Sequence, residues 1–216
     1  MRLAHFFHAY AVNDWERIVT GHLDALEDSG LADEIGPLHL GIVGEWRARN
    51  AVVAMCRKRM PVTVVAQGDA GWEQITLATM RKRAVGVDAV LYAHTKGVSQ
   101  PPQSNEALED EWRGSMTVGV VDNWRQCVAL LATYEAVGCH WICHPEANRF
   151  CSEPGTMLFG GNFWWARADM IRRLEPPHTK SRYDAELWFG HNGVDNIFDL
   201  APGWPGAGNF TRRGKP

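Results

Sequence analysis

The chain has 216 residues, a length that suits one α/β domain and can bury a full core without disulfide staples. Hydrophobic residues make up 45% and charged residues 22%, an ordinary globular balance that excludes intrinsic disorder as the default. The formal net charge of −3 excludes a strong general attraction to nucleic acid or anionic membrane.

Residues 3–12, LAHFFHAYAV, are predicted to be a first strand running into a loop. Asn13 and Asp14 then cap a helix whose Trp15, Ile18, Val19, Leu23 and Leu26 fall at helical spacing, with His22 on the same face. Ser29-Gly30 stops it. A short second strand is expected over 38–43 and a helix over 51–60, ended by Pro61. Residues 62–66 read as a buried strand, 73–83 as a helix and 87–93 as a fourth strand ending in His94-Thr95-Lys96-Gly97. A polar loop, Val98 to Asp110, follows. A long helix over about 118–135, a strand over 136–143 and a helix over 163–174 (FWWARADMIRRL) come next. Residues 201–216 are expected to form an irregular Gly/Pro-rich tail behind a single domain spanning 1–200.

Strands alternating with helices predict a mixed, mostly parallel sheet flanked by helices, a Rossmann-like α/β fold. Ligands of such sheets sit beyond the carboxyl ends of the strands, so the fourth strand's exit stands where a site belongs. No apolar run approaches the roughly 20 residues that a membrane span requires. The N-terminal MRLAHFFHAY is too short and polar for a secretory signal, and the five cysteines are odd in number. A reduced, cytoplasmic protein is expected. Cys139, Cys143, His144 and Cys151 could hold zinc, but only one follower stands where a second ligand pair should recur.

Three clusters carry chemistry suited to moving a sugar from a nucleotide donor. At the fourth strand's exit, Lys96 offers compact positive charge for a departing diphosphate and His94 a donor or metal ligand. Thr95 adds a hydroxyl, and Gly97 allows close backbone approach. Asp184 and Glu186 offer the acid that takes a hydroxyl proton. Two residues advance about 200° on a helical turn, so the pair would diverge there. One acid would then face the site while the other caps the helix or binds Arg182. Gly160-Gly161-Asn162-Phe163-Trp164-Trp165 offers a polar cradle with an indole wall, one tryptophan in the core and one in the site. Downstream His191 is a late metal or phosphate ligand candidate.

These blocks resemble a group of GT-A-type glycosyltransferases of bacteria, phages and large viruses related to the rhamnan synthesis F proteins. The resemblance rests on VLYAHTKGVS (Val90–Ser99), EWRGSM (Glu111–Met116), GGNFWWARADMIRRL (Gly160–Leu174) and RYDAELW (Arg182–Trp188), with shorter blocks between. It implies a GT-A fold, with the nucleotide near Ala9 and Tyr10 and the diphosphate near His94 to Lys96. It implies sugar or acceptor contacts from Trp112, Arg113, Gly161, Asn162, Trp164 and Trp165, and Glu186, then Asp184, as the base-like acid. The donor would be a nucleotide sugar, UDP-linked first, and the acceptor a glycan, a protein or a hydroxymethylated base in phage DNA. The usual Asp-x-Asp is missing; His94-Thr95-Lys96 stands in its place. Either Lys96 replaces a metal's charge, or Mn2+ or Mg2+ binds with fewer carboxylates, with His94 and His191 as its possible ligands. The competing reading is a non-catalytic nucleotide-sugar or carbohydrate-binding module on the same fold.

Overall fold

The computed structural model describes residues 1–99, 106–143 and 156–201. Its centre is a seven-stranded sheet in the order β3-β2-β1-β4-β8-β5-β9. The strands are β1 (Leu3–Tyr10), β2 (Leu38–Val43), β3 (Val62–Gly68), β4 (Ala89–His94), β5 (Ala136–Gly138), β8 (Trp164–Arg167) and β9 (Ile197–Asp199). All run in one direction except β8, which is antiparallel to both β4 and β5. A separate two-stranded antiparallel ribbon joins β6 (Trp141–Cys143) to β7 (Met157–Phe159). The mixed, mostly parallel sheet with flanking helices is the architecture the sequence predicts.

Alternation along the strands builds two cores. On β4, Ala89, Leu91 and Ala93 join one core, beneath α1 (Trp15–Asp28) and α2 (Trp46–Arg57). Val90 and Tyr92 join the other, beneath α3 (Gln74–Arg83) and α6 (Ala168–Arg173). Successive strand residues point to opposite faces, and both faces are covered, so the strands read as unbroken apolar runs. Gly41 on β2 is dictated by contact: a Cβ there would stand 1.8 Å from Thr76 Oγ1 on α3.

Several elements depart from their predicted bounds. The helix expected over 51–60 begins earlier, at Trp46, because Glu45 caps it, accepting from Arg47 N at 2.8 Å and Ala48 N at 3.4 Å. The helix expected over 118–135 is instead α4 (Glu106–Thr117), a π-helical turn (Val118–Asp122) and α5 (Trp124–Leu130), so part of the expected loop is helical. The strand expected over 136–143 breaks between β5 and β6, where His140 takes a left-handed φ of 62°. The helix expected over 163–174 starts only at Ala168, its first part being β8. Trp164 and Trp165 pack on opposite faces there, which a strand permits and one helix face does not. The tail predicted over 201–216 lies outside the described residues beyond Ala201, as do His144 and Cys151. No helix among the described residues is long and apolar enough to cross a membrane.

The sheet buries histidines. His5 Nδ1 donates to Leu91 O at 3.2 Å, and its Nε2 lies 2.7 Å from His22 Nε2 on α1. His8 Nδ1 meets Thr76 Oγ1 at 2.7 Å. Burial pushes His5 from the ordinary 6.5 to about 3, and His8 to about 4. An unfolded chain takes up these protons near pH 6.5; the folded one resists until much lower pH. Stability is therefore expected to fall as pH drops from about 6.5 toward 4. Denaturant midpoints measured across that window check this, and a midpoint that does not move would contradict it.

Candidate active site

A cavity of about 410 Å³ opens beyond the carboxyl ends of β1 and β4. His8 and Tyr10 of β1, the turn His94–Ser99 after β4, and Gly71, Trp72 and Glu73 before α3 line it. Glu109 and Trp112 of α4, with Arg182 and Glu186, complete the wall.

Lys96 Nζ lies 3.7 Å from Glu186 Oε1 and 4.5 Å from the centroid of the Trp112 ring. Its side chain is 16% exposed and that of Glu186 20%, so both reach the cavity while shielded from bulk water. The turn carrying Lys96 is gripped through its backbone. Arg113 Nη1 donates to Lys96 O at 2.7 Å and Asn13 Nδ2 to Val98 O at 2.8 Å. Thr95 is buried, and its Oγ1 accepts from Tyr10 N at 2.9 Å, lacing β1 to β4. Gly97, at φ 88°, sits where a Cβ would come within 3.1 Å of Glu109.

The floor is a buried polar network. Glu73 Oε2 accepts from the Tyr92 hydroxyl at 2.9 Å and from Asn162 Nδ2 at 2.8 Å. Glu73 Oε1 lies 3.3 Å from His94 Nδ1. His94 Nε2 donates to the Gly161 carbonyl at 2.9 Å. Burial, reinforced by Lys96, pushes His94 down to about 4. A neutral ring that donates through Nε2 turns a bare Nδ1 toward Glu73 Oε1. Burial and the neighbouring Glu73 push the Tyr92 hydroxyl well above its usual range, which keeps it a donor.

The structure redistributes the residues singled out in the sequence. Tyr10, His94, Thr95, Lys96, Gly97, Trp112 and Glu186 line one cavity. Asp184 does not: it is buried, and its Oδ2 accepts from Lys180 N at 2.7 Å and Ser181 N at 2.9 Å. Ser181 Oγ reciprocates from Tyr183 N, closing a capping box on the helical turn Arg182–Ala185. On that turn the two acids diverge, and Asp184 spends its carboxylate on backbone. Replacing Asp184 with Ala is expected to cost about 1–2 kcal/mol of stability and to leave the activity of the cavity unchanged. Equilibrium unfolding alongside a rate assay checks both.

Other expectations are corrected too. Trp164 and Trp165 are both fully buried, so neither is a site wall: Trp164 Nε1 donates to Asn162 Oδ1 and Trp165 Nε1 to Val120 O, each at 2.7 Å. Asn162 spends both ends of its amide inside the protein, and Gly161 turns its carbonyl to His94. Ala9 is fully buried on the core side of β1. Arg113 grips the turn and lines a second cavity, about 420 Å³, with Arg17, His22 and Asp110. His191 lies away from the cavity at the end of α7 (Trp188–His191), its ring 4.7 Å from that of His178. Cys139 is buried, its thiol pushed up to about 12, with Sγ where a Cβ on Gly119 would stand. No group of three His, Cys, Asp or Glu that could hold a metal stands together among the described residues.

Sequence reading missed Glu73, Tyr92 and Trp72. Glu73 stands in a helix start and Tyr92 in a buried strand, and neither pattern marks a site. Trp72, 46% exposed at the cavity rim, was one of ten tryptophans; its place in the exit loop of β3, just after Gly71, was the available signal.

A family model described as a domain of unknown function (DUF8361) matches residues 6–210. No curated protein matches the sequence. Among solved structures, the chain is similar to the mannosyltransferase PcManGT of Pyrobaculum calidifontis, solved with GDP-Man and Mn2+. The identity is 12% and the TM-score 0.51, over 93% of this chain and 55% of that one. Glucosyl-3-phosphoglycerate synthase of Mycobacterium tuberculosis is 13% identical with a TM-score of 0.49, over 99% of this chain and 73% of its own. 4-Diphosphocytidyl-2C-methyl-D-erythritol synthase of Anaerococcus prevotii is 13% identical with a TM-score of 0.47, over 93% and 90%. Identities this low express likeness of fold.

Proposed function

The chain belongs to the DUF8361 family, and we propose that it is a glycosyltransferase that moves a sugar from a nucleotide donor to a hydroxyl acceptor. One observation carries the proposal. A lysine and a carboxylate with no other ion pair or side-chain hydrogen bond among the described residues, Lys96 and Glu186, meet 3.7 Å apart in a cavity beyond the carboxyl ends of parallel strands. Transfer needs positive charge where a diphosphate departs and an acceptor for a hydroxyl proton, and this pair supplies both.

In the free protein the two side chains neutralise one another. An arriving diphosphate competes for Lys96 and releases Glu186. The bond from the sugar's anomeric carbon to the phosphate oxygen then breaks, leaving its electron pair on the diphosphate beside Lys96. The acceptor oxygen bonds to that carbon, and its proton passes to Glu186. The low exposure of both groups strengthens each charge interaction relative to water. Arg182 at the rim adds positive charge, and the Trp112 ring beneath Lys96 offers it a cation–π contact.

A divalent ion fits the described residues poorly. Among the described residues Glu73 Oε2 accepts two hydrogen bonds, Glu186 faces Lys96, and His94 Nε2 donates to Gly161 O, which leaves only Glu73 Oε1 and His94 Nδ1 as donors to an ion. No step is therefore routed through an ion. The fold likeness to a mannosyltransferase solved with GDP-Man supports the donor class, and a UDP-linked sugar is the donor to test first. The acceptor we favour is a glycan or protein hydroxyl, ahead of a modified DNA base, given the net charge of −3.

The test is a panel of UDP- and GDP-sugars, with and without Mn2+ or Mg2+, read first by thermal stabilisation and then by release of nucleoside diphosphate. A ligand at 100 times its Kd stabilises by about 2.7 kcal/mol. A stabilising nucleotide sugar that also turns over supports the enzyme. Stabilisation without turnover on any acceptor would favour a binding module, and no stabilisation by any donor would defeat the reading.

A further inference from the structure

We propose that Glu73 is a positioning residue for this transfer, holding the turn that carries Lys96 by closing a ring of contacts through His94, Gly161 and Asn162. The inference rests on the proposed role of Lys96 and Glu186.

Glu73 stands at the start of α3 with its side chain 14% exposed. It reaches β4 twice, through the Tyr92 hydroxyl at 2.9 Å and His94 Nδ1 at 3.3 Å. It reaches the entry of β8 through Asn162 Nδ2 at 2.8 Å. His94 Nε2 turns back to Gly161 O at 2.9 Å, one residue before Asn162, so the ring closes on itself. Asn162 holds a left-handed φ of 59°, a conformation that needs support from its surroundings, and Trp164 Nε1 fastens its other amide atom at 2.7 Å. Lys96 follows His94 by two residues, and its own peptide N donates to His94 O at 2.8 Å.

Glu73 and Glu186 divide their duties by their partners. Glu73 spends Oε2 on Tyr92 and Asn162 and turns Oε1 to the buried His94 ring, so it is held as part of the floor. Among the described residues the Glu186 side chain has Lys96 as its one ion-pair or hydrogen-bond partner and is placed to react. Loss of Glu73 frees three side chains beneath the turn. Long-range attraction between Lys96 and a diphosphate survives a small displacement, whereas the aligned geometry of the transition state does not. The rate constant should therefore suffer more than donor affinity.

The experiment compares Glu73→Ala and Glu73→Gln with the wild type, measuring kcat, KM for the nucleotide sugar, and the ring ¹⁵N resonances of His94. Glutamine can accept from Tyr92 and Asn162 through its oxygen and donate to His94 through its nitrogen, restoring the ring without charge. Glu73→Ala is expected to lower kcat about tenfold or more while moving KM little, since misplacement by about 1 Å can cost 10²-fold. Glu73→Gln is expected to recover most of the loss. Wild-type kinetics in Glu73→Ala, or equal impairment in Glu73→Gln, would overturn the proposal; if the alanine variant does not fold, the glutamine variant decides alone. A wild type inert toward every nucleotide sugar refutes the transferase reading instead. The positioning role is then judged by His94, whose ring signals must shift in Glu73→Ala, and unmoved signals would overturn it.

Discussion

Glu186→Gln is expected to bind the nucleotide sugar as the wild type does and to transfer it about 10²-fold or more slowly, the scale of general-base catalysis. Glutamine keeps the shape of the side chain and its contact with the cavity, but it cannot collect the acceptor's proton. The ion pair with Lys96 is lost as well. That loss frees the lysine for the diphosphate, so donor affinity holds or rises slightly while the rate falls. Such a split between binding and rate marks a group needed in the transition state and not in the ground state. The measurement is single-turnover transfer beside equilibrium binding of the donor. Should Glu186→Gln retain full rate while Asp184→Asn loses it, the base has been assigned to the wrong acid, and the capping bonds of Asp184 would need another explanation.

Lys96→Ala is expected to lower kcat/KM about 10²- to 10³-fold, as does removal of one preorganised group that stabilises developing charge. Here both terms should move: KM rises because the diphosphate loses an attraction, and kcat falls because the leaving oxygen loses its counter-charge. The backbone of the turn should survive, since Arg113 and Asn13 hold its carbonyls and not its side chain. An unchanged melting temperature in Lys96→Ala therefore separates a chemical loss from a folding one. Lys96→Arg should recover charge without recovering full rate, because a planar guanidinium reaches further and donates in a fixed fork. Wild-type kinetics in Lys96→Ala would remove the lysine from the site and with it the account of leaving-group departure.

The parts of this site that sequence made legible are those whose meaning is local. His94-Thr95-Lys96-Gly97 crowds polar groups onto a strand exit, and the rule for parallel sheets places that exit over a cavity. The divergence of Asp184 from Glu186 follows from helical pitch, although pitch alone does not say which acid turns inward. The buried network was illegible because its partners are remote: Glu73 bonds to Tyr92 19 residues away and to Asn162 89 residues away. Trp164 and Trp165 misled for another reason. A strand buried on both faces carries no alternation, so FWWA merges with the amphipathic run ADMIRR and the whole reads as one helix.

The reversed strand β8 makes the ladder a ruler for the cavity. Tyr92 pairs with Trp164 and Leu91 with Trp165, and this alignment alone sets how far Asn162 projects past the last rung toward Glu73. A slip by one residue would exchange the two indoles between the cores and carry the asparagine about 3.4 Å along the strand, beyond reach of the carboxylate. The bulky pair, though outside the lining of the cavity, thus acts as a detent: each indole is buried in its own core, and that register calibrates the cavity floor.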